Sequence, residues 1–211
     1  MRTRSLAALL LCTAALPLAA QAPKAQPASM AKTAAPAHAA PAAAAAHAAP
    51  AASAAHAAAA ATSATSQTKT LWTDVRQYLV QSAQDVPDSL YGFRPTPEVR
   101  TFGELIAHVA GSQKMFCAMA LGEKPPAESA VEDSAKTKAS IVAALQASND
   151  YCDRAYAQSD AATAAAAEIF GQHRTRLYAL LMNTTHDNEH YGNVVTYMRM
   201  NHMVPPSSRR Q

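Results

Sequence analysis

Apolar residues recur at helical spacing in four stretches of the chain, and nowhere between residues 68 and 211 do they alternate as a strand flanked by turn residues would. The first stretch runs from about Thr70 to Val86, with Leu71, Val75, Tyr78 and Leu79 on one face and Pro87 beyond its end. Pro95 and Pro97 hold the following segment extended. The second stretch opens at Thr101-Phe102-Gly103-Glu104, where threonine and glutamate can each satisfy a free backbone N–H, and runs to about Leu121, where Gly122 can end it. A polar connection with Pro125-Pro126 spans Glu123 to Ala135, and a third helix follows from about Lys136 to Gln158. The 13 residues of that connection reach about 40 Å when extended, more than the roughly 30 Å of a 20-residue helix, so the helices on either side can lie parallel. The fourth helix runs from about His173 to Asn201 and stops before Pro205-Pro206. These elements predict an all-α four-helix bundle with a long crossover between the second and third helices.

The first 67 residues depart from this pattern, with no acidic residue, no glycine and six of the 13 prolines. Met1-Arg2-Thr3-Arg4 leads into an uncharged Leu/Ala run from Ser5 to Leu18 and then small residues, which makes residues 1–20 a secretory signal peptide cleaved after Ala20. The run is shorter than the roughly 20 residues a membrane span needs. Residues 21–67 are mostly Ala and Pro, with His38, His47 and His56 nine apart, and have almost nothing large and apolar to bury; they read as a disordered linker. Ordering that chain around one ion would cost much entropy, so the three histidines read as part of a repeated spacer. Residues 68–211 are then one domain of a periplasmic or secreted protein without a membrane span. Arg2, Arg4, Lys24 and Lys32 fall outside that domain, which leaves it 14 basic residues against 15 acidic ones. Without a basic excess, nucleic acid is not an expected partner.

Candidate chemistry lies in the histidines. His186 and His190 are four apart on the fourth helix, one turn from each other on the same face, where two imidazoles can ligate one ion. His108 falls within about 80° of Leu105, Ser112, Met115, Phe116 and Met119 around the second helix and so points inward. Taken alone it reads as a buried, hydrogen-bonded histidine; taken with the pair it completes a three-imidazole site with one position open, the arrangement of a catalytic metal. His173 and His202, at the ends of the fourth helix, read as solvated. His186 to His190 also matches the H-x-x-E-H pattern of inverted zinc peptidases, but residues 191–211 contain no Asp or Glu for the further acidic ligand. Glu189 is offset from His186 by about 60° and reads either as the base for a metal-bound water or as a solvated charge flanking the site, with neither it nor Asp187 clearly inward. Asn193 and Tyr197 fall within about 20° of His186 and are carried as residues lining the site behind the ligands. Cys117 lies on roughly the opposite side of its helix from His108; with Cys152 it forms either a disulfide or two free buried thiols.

Arg100-Thr101-Phe102-Gly103-Glu104-Leu105-Ile106-Ala107-His108-Val109-Ala110 and His186-Asp187-Asn188-Glu189-His190-Tyr191-Gly192 resemble the two signatures of DinB-like proteins, and the ending from Tyr197 to Pro206 is similar to that family as well. The resemblance covers residues 68–211. It implies a four-helix bundle, often a homodimer, holding a divalent metal through His108, His186 and His190; the open three-histidine site suits zinc or nickel. Characterised relatives include thiol-dependent transferases and isomerases; an exported chain would lack a cytosolic thiol, which argues against that chemistry here. Two functions follow as expectations: a metal-dependent hydrolase or transferase acting on a small molecule, or a non-catalytic helical bundle that binds metal or ligand or forms a structural dimer.

Overall fold

A computed structural model of the chain describes residues 63–209. The segments expected as a signal peptide and, but for its last residues, a linker, with His38, His47 and His56, lie outside the described residues. Four long helices form the bundle: α1 (Ala64–Asp85), α2 (Phe102–Leu121), α4 (Lys138–Tyr156) and α6 (Arg176–Met200), with two short helices, α3 (Ala130–Ser134) and α5 (Asp160–Thr163), in the connections. Helix α2 packs against α4 and α6, and α1 packs against the same two. No described helix is long and apolar enough to cross a membrane.

The α2 boundaries follow the sequence: the Thr101 side chain accepts from the Glu104 N–H, Glu104 accepts from the Thr101 N–H, and Gly122 ends the helix at φ 73°. That positive φ is why glycine stands there. Sixteen of the 20 residues of α2 are buried. It is the central helix rather than an amphipathic surface one, and small residues such as Gly103, Ala107 and Ala110 let three partners approach it.

Three expectations need correction. Helix α1 starts at Ala64, not Thr70, because the Ser63 side chain caps it by accepting the Ser66 N–H at 3.0 Å, and Asp160 on α5 accepts the free N–H groups of Ala64 at 3.2 Å and Thr65 at 3.0 Å. Leu71 is 60% exposed, and its neighbour Trp72 is buried in its place, stacked on Tyr156 at 4.2 Å between ring centroids. A β-hairpin, β1 (Ala166–Ile169) paired antiparallel with β2 (Gln172–Thr175), stands where no strand was expected, and it places His173 on a strand rather than in the fourth helix. Its two-residue turn, Phe170 and Gly171, has φ of 51° and 72°, the positive pair that matches the twist of hairpin strands.

Two links cross the core. Cys117 on α2 and Cys152 on α4 form a disulfide. Ser148 on α4 donates to Gln113 Oε1 at 2.6 Å, and Gln113 Nε2 donates to Asp187 Oδ2 on α6 at 2.9 Å; all three side chains are fully buried. Asp187 therefore points inward, between α6 and its neighbours, and burial pushes its pKa up to about 8. The Trp72 indole N–H lies close enough to lower that value somewhat, although neither Trp72 Nε1 nor Asp187 Oδ1 makes a formed hydrogen bond.

Candidate metal centre

His108 projects from the middle of α2, and His186 and His190 project from α6, which packs directly on α2. One ring nitrogen from each converges with the others within 4.8 Å. The Nε2 atoms of His186 and His190 are 3.0 Å apart. Two nitrogens bound tetrahedrally at 2.0–2.1 Å would stand about 3.3 Å apart, so a small adjustment accommodates a zinc-like ion. The donor set fits such a group: burial, ahead of any charge effect, lowers the pKa of all three histidines and holds them neutral. His186 is shifted furthest, down to about 3, by burial and then by His190 and His108. His186 Nδ1 is buried without a hydrogen-bond partner. Leaving such a group unsatisfied costs about 1–3 kcal/mol, a strain tolerated where the ring orientation serves its other nitrogen.

The surroundings are set by two acidic residues that the sequence reading did not single out. Glu132 on α3 places Oε2 at 3.8 Å from His108 Nδ1 while its Oε1 accepts from Arg100 Nε at 3.0 Å. Glu128, just before α3, places Oε1 at 3.8 Å from His108 Nε2 and 4.0 Å from His186 Nε2. Both residues belong to the crossover, whose polar composition marks it as a connection and nothing more.

Of the remaining candidates, Asn193 is exposed, with its Nδ2 at 3.4 Å from His190 Nδ1. Tyr197 is buried and donates its hydroxyl to the Arg100 carbonyl at 2.8 Å. Both line a cleft of about 690 Å³ together with Arg100, Glu132, His190 and Thr196. Glu189 is exposed and forms no ion pair with the three histidines; it acts on His108 and His190 through its charge, favouring their protonated forms. Phe116, two turns after His108, packs edge-on against His186 at 5.6 Å and against Phe170 of the hairpin at 6.0 Å between ring centroids. His173 and His202 are exposed and lie outside the cluster.

Fold and site together define a class: a helical bundle with three imidazoles brought to one point by two adjacent helices. The chain belongs to the DinB superfamily, whose family model matches residues 71–194. It is similar in structure to a DinB-like protein from Bacillus cereus, at 17% identity and a TM-score of 0.58 over 66% of this chain and 93% of that one. A DinB-like protein from Bacillus subtilis is similar at 17% identity and a TM-score of 0.55, over 69% of this chain and 99% of that one. A mutant of the mycothiol-dependent maleylpyruvate isomerase is similar at 18% identity and a TM-score of 0.54, over 62% of this chain and 60% of that one. At these identities the likeness shows the fold alone. No curated protein matches the sequence.

Proposed function

We propose that the protein is an exported metalloenzyme, a hydrolase or group transferase for a small molecule, with one zinc or nickel ion held by His108, His186 and His190. The convergence of their three ring nitrogens within 4.8 Å carries this reading. Bound there, the ion supplies Lewis acidity to a substrate in the adjoining cleft. The chain's own residues prepare that centre: burial keeps the imidazoles neutral and able to donate lone pairs, Glu132 stands beside His108 Nδ1, and Arg100 balances the Glu132 charge. The cleft of about 690 Å³ is of the size that takes a small molecule. An enzymatic role is supported by a structural neighbour that is a mycothiol-dependent isomerase, and the amino-terminal signal directs the search toward substrates outside the cytosol.

The test is the metal content of the full chain, purified without an affinity tag, beside a His186→Ala, His190→Ala variant. The linker histidines are common to both, so the difference reports the bundle site. One ion per chain more in the parent supports the reading and justifies screening hydrolytic and transfer substrates; equal content in both overturns it. Export is read from fractionation, with a processed chain starting at Gln21 outside the inner membrane as the expected result.

A further inference from the structure

The crossover backbone is seated on α2 one turn beyond His108. A Cβ at Gly111 would come within 2.1 Å of the Glu128 carbonyl oxygen and 3.8 Å of the Val131 Cβ, so the absence of a side chain at Gly111 is what lets Glu128 lie against the helix. Ser112, fully buried and one helical turn from His108 on the same face, donates its hydroxyl to Glu128 Oε1 at 2.8 Å. The burial of Val131 anchors the segment immediately after it. Glu128 is thus held at its backbone, at its carboxylate and at its downstream neighbour, although its side chain is 43% exposed.

These three restraints aim one oxygen at the histidine cluster. Oε1, the atom that accepts from Ser112, is also the atom 3.8 Å from His108 Nε2 and 4.0 Å from His186 Nε2. At these separations the oxygen is too far from either nitrogen for a hydrogen bond, and there is room for an ion between the donors.

We propose that Glu128 is a fourth donor of the metal site, a carboxylate delivered by the crossover to complete a three-histidine, one-glutamate set. The inference rests on the metal reading above and deepens it. Hard oxygen beside imidazole nitrogen suits zinc, the carboxylate lowers the net charge of the loaded site by one, and expansion to five-coordination would keep a position for substrate. The other crossover carboxylate, Glu132, is committed to Arg100 and to the far side of His108. Glu128 is the one positioned as a ligand.

The test compares the full chain with Glu128→Gln, which keeps the side-chain shape and an oxygen for Ser112. Zinc affinity is measured by competition with a chromogenic chelator, and Co²⁺ is added as a spectroscopic probe of the donor set. A His186→Ala, His190→Ala variant gives the background from the linker histidines. We expect Glu128→Gln to weaken zinc binding by at least about tenfold, in line with losses seen on disturbing residues around metal ligands, and to alter the Co²⁺ d–d absorption, while the melting temperature of the metal-free protein stays as in the parent. Parental zinc affinity and a superimposable Co²⁺ spectrum in Glu128→Gln would overturn the proposal and leave the three-histidine site standing. A parent indistinguishable from the background variant would overturn both.

Discussion

Replacing Gly111 by alanine tests the link between the bundle and its metal centre. The added methyl would stand 2.1 Å from the Glu128 carbonyl oxygen, where ordinary contact begins near 3.4 Å, and the obstacle is backbone rather than a flexible side chain. The crossover must lift from α2 by more than an ångström. Overpacking of this kind costs about 1–3 kcal/mol, and a rigid obstacle belongs in the upper part of that range. Alanine in place of glycine within a helix returns about 0.8–1 kcal/mol. The net expectation is a loss of about 1–2 kcal/mol, or roughly 2–8 °C in melting temperature for a domain of this size. Because the lifted segment carries Glu128, zinc affinity should fall in the same variant. Combining Gly111→Ala with Glu128→Gln should then weaken binding little more than either change alone, since both remove one donor. The assays are thermal denaturation of the metal-free chain and chelator competition. Unchanged or increased stability together with parental zinc affinity would refute the reasoning, because it would mean the crossover does not lie on α2 at this point.

The raised pKa of Asp187, about 8 against 3.8 for a free carboxyl, makes a contribution to stability that is complete below pH 4 and lost as pH rises to 8. Relative to Asp187→Asn, the metal-free parent should lose up to about 1.4 kcal/mol per pH unit across that window and be level above it; parallel pH profiles in urea denaturation would contradict this. The His186 pKa, lowered to about 3, works in the opposite sense: its contribution is present above pH 6.5 and lost as pH falls toward 3, so the metal-free parent should be more acid-sensitive than His186→Ala. The disulfide closes a loop with a sequence separation of 35 between α2 and α4. Removing it with Cys117→Ala, Cys152→Ala should cost about 3–4 kcal/mol by loop entropy, read from denaturant midpoints. Chelation should leave helical content unchanged, because the large core of Trp72, Leu79, Ile106 and Leu180 needs no ion; the melting temperature should fall only by the linkage term, about 2.7 kcal/mol at a metal concentration 100 times Kd. Loss of the far-ultraviolet helical signal on chelation would make the metal structural.

What was legible in the sequence was local. The capping box at Thr101 and the glycine at 122 mark the ends of α2 because both act within one turn. Histidines four apart on α6 must share a face, and one more on a neighbouring buried helix can meet them. What escaped depends on contacts between distant segments. The start of α1 has a local cap in Ser63, but the contact of Asp160 with the first turn joins segments 95 residues apart. Leu71 and Trp72 are both apolar and 100° apart, so periodicity does not say which of them faces the core; the stack on Tyr156 decides. The hairpin uses a Phe-Gly turn and alanine-rich strands, which carry little strand signal. Asp187 looked ambiguous because the side of α6 next to the histidines is itself packed, against Gln113 and Trp72. Glu128 and Glu132 sit in a polar connection whose path no periodicity reports.

That division of origin bears on how the site works. The three imidazoles stand on α2 and α6, whose packing is fixed by the core, so their convergence follows from the bundle and should survive most changes outside it. The two carboxylates stand on the crossover, and each carboxylate group is hydrogen-bonded by one side chain of the helix side: Ser112 for Glu128, Arg100 for Glu132. A small change in the connection can therefore add, remove or re-aim a carboxylate without disturbing the imidazoles. Metal binding is on this account a property of the helices, while the charge and coordination at the metal are properties of the loop that passes over it. Substitutions at Ser112 should test the separation most directly. Ser112→Ala leaves the helices and all three histidines in place but frees the Glu128 oxygen, so zinc should still bind, more weakly than in the parent and no more weakly than in Glu128→Gln. A Ser112→Ala chain that binds no zinc at all would show that the helices and the crossover are not separable in this way.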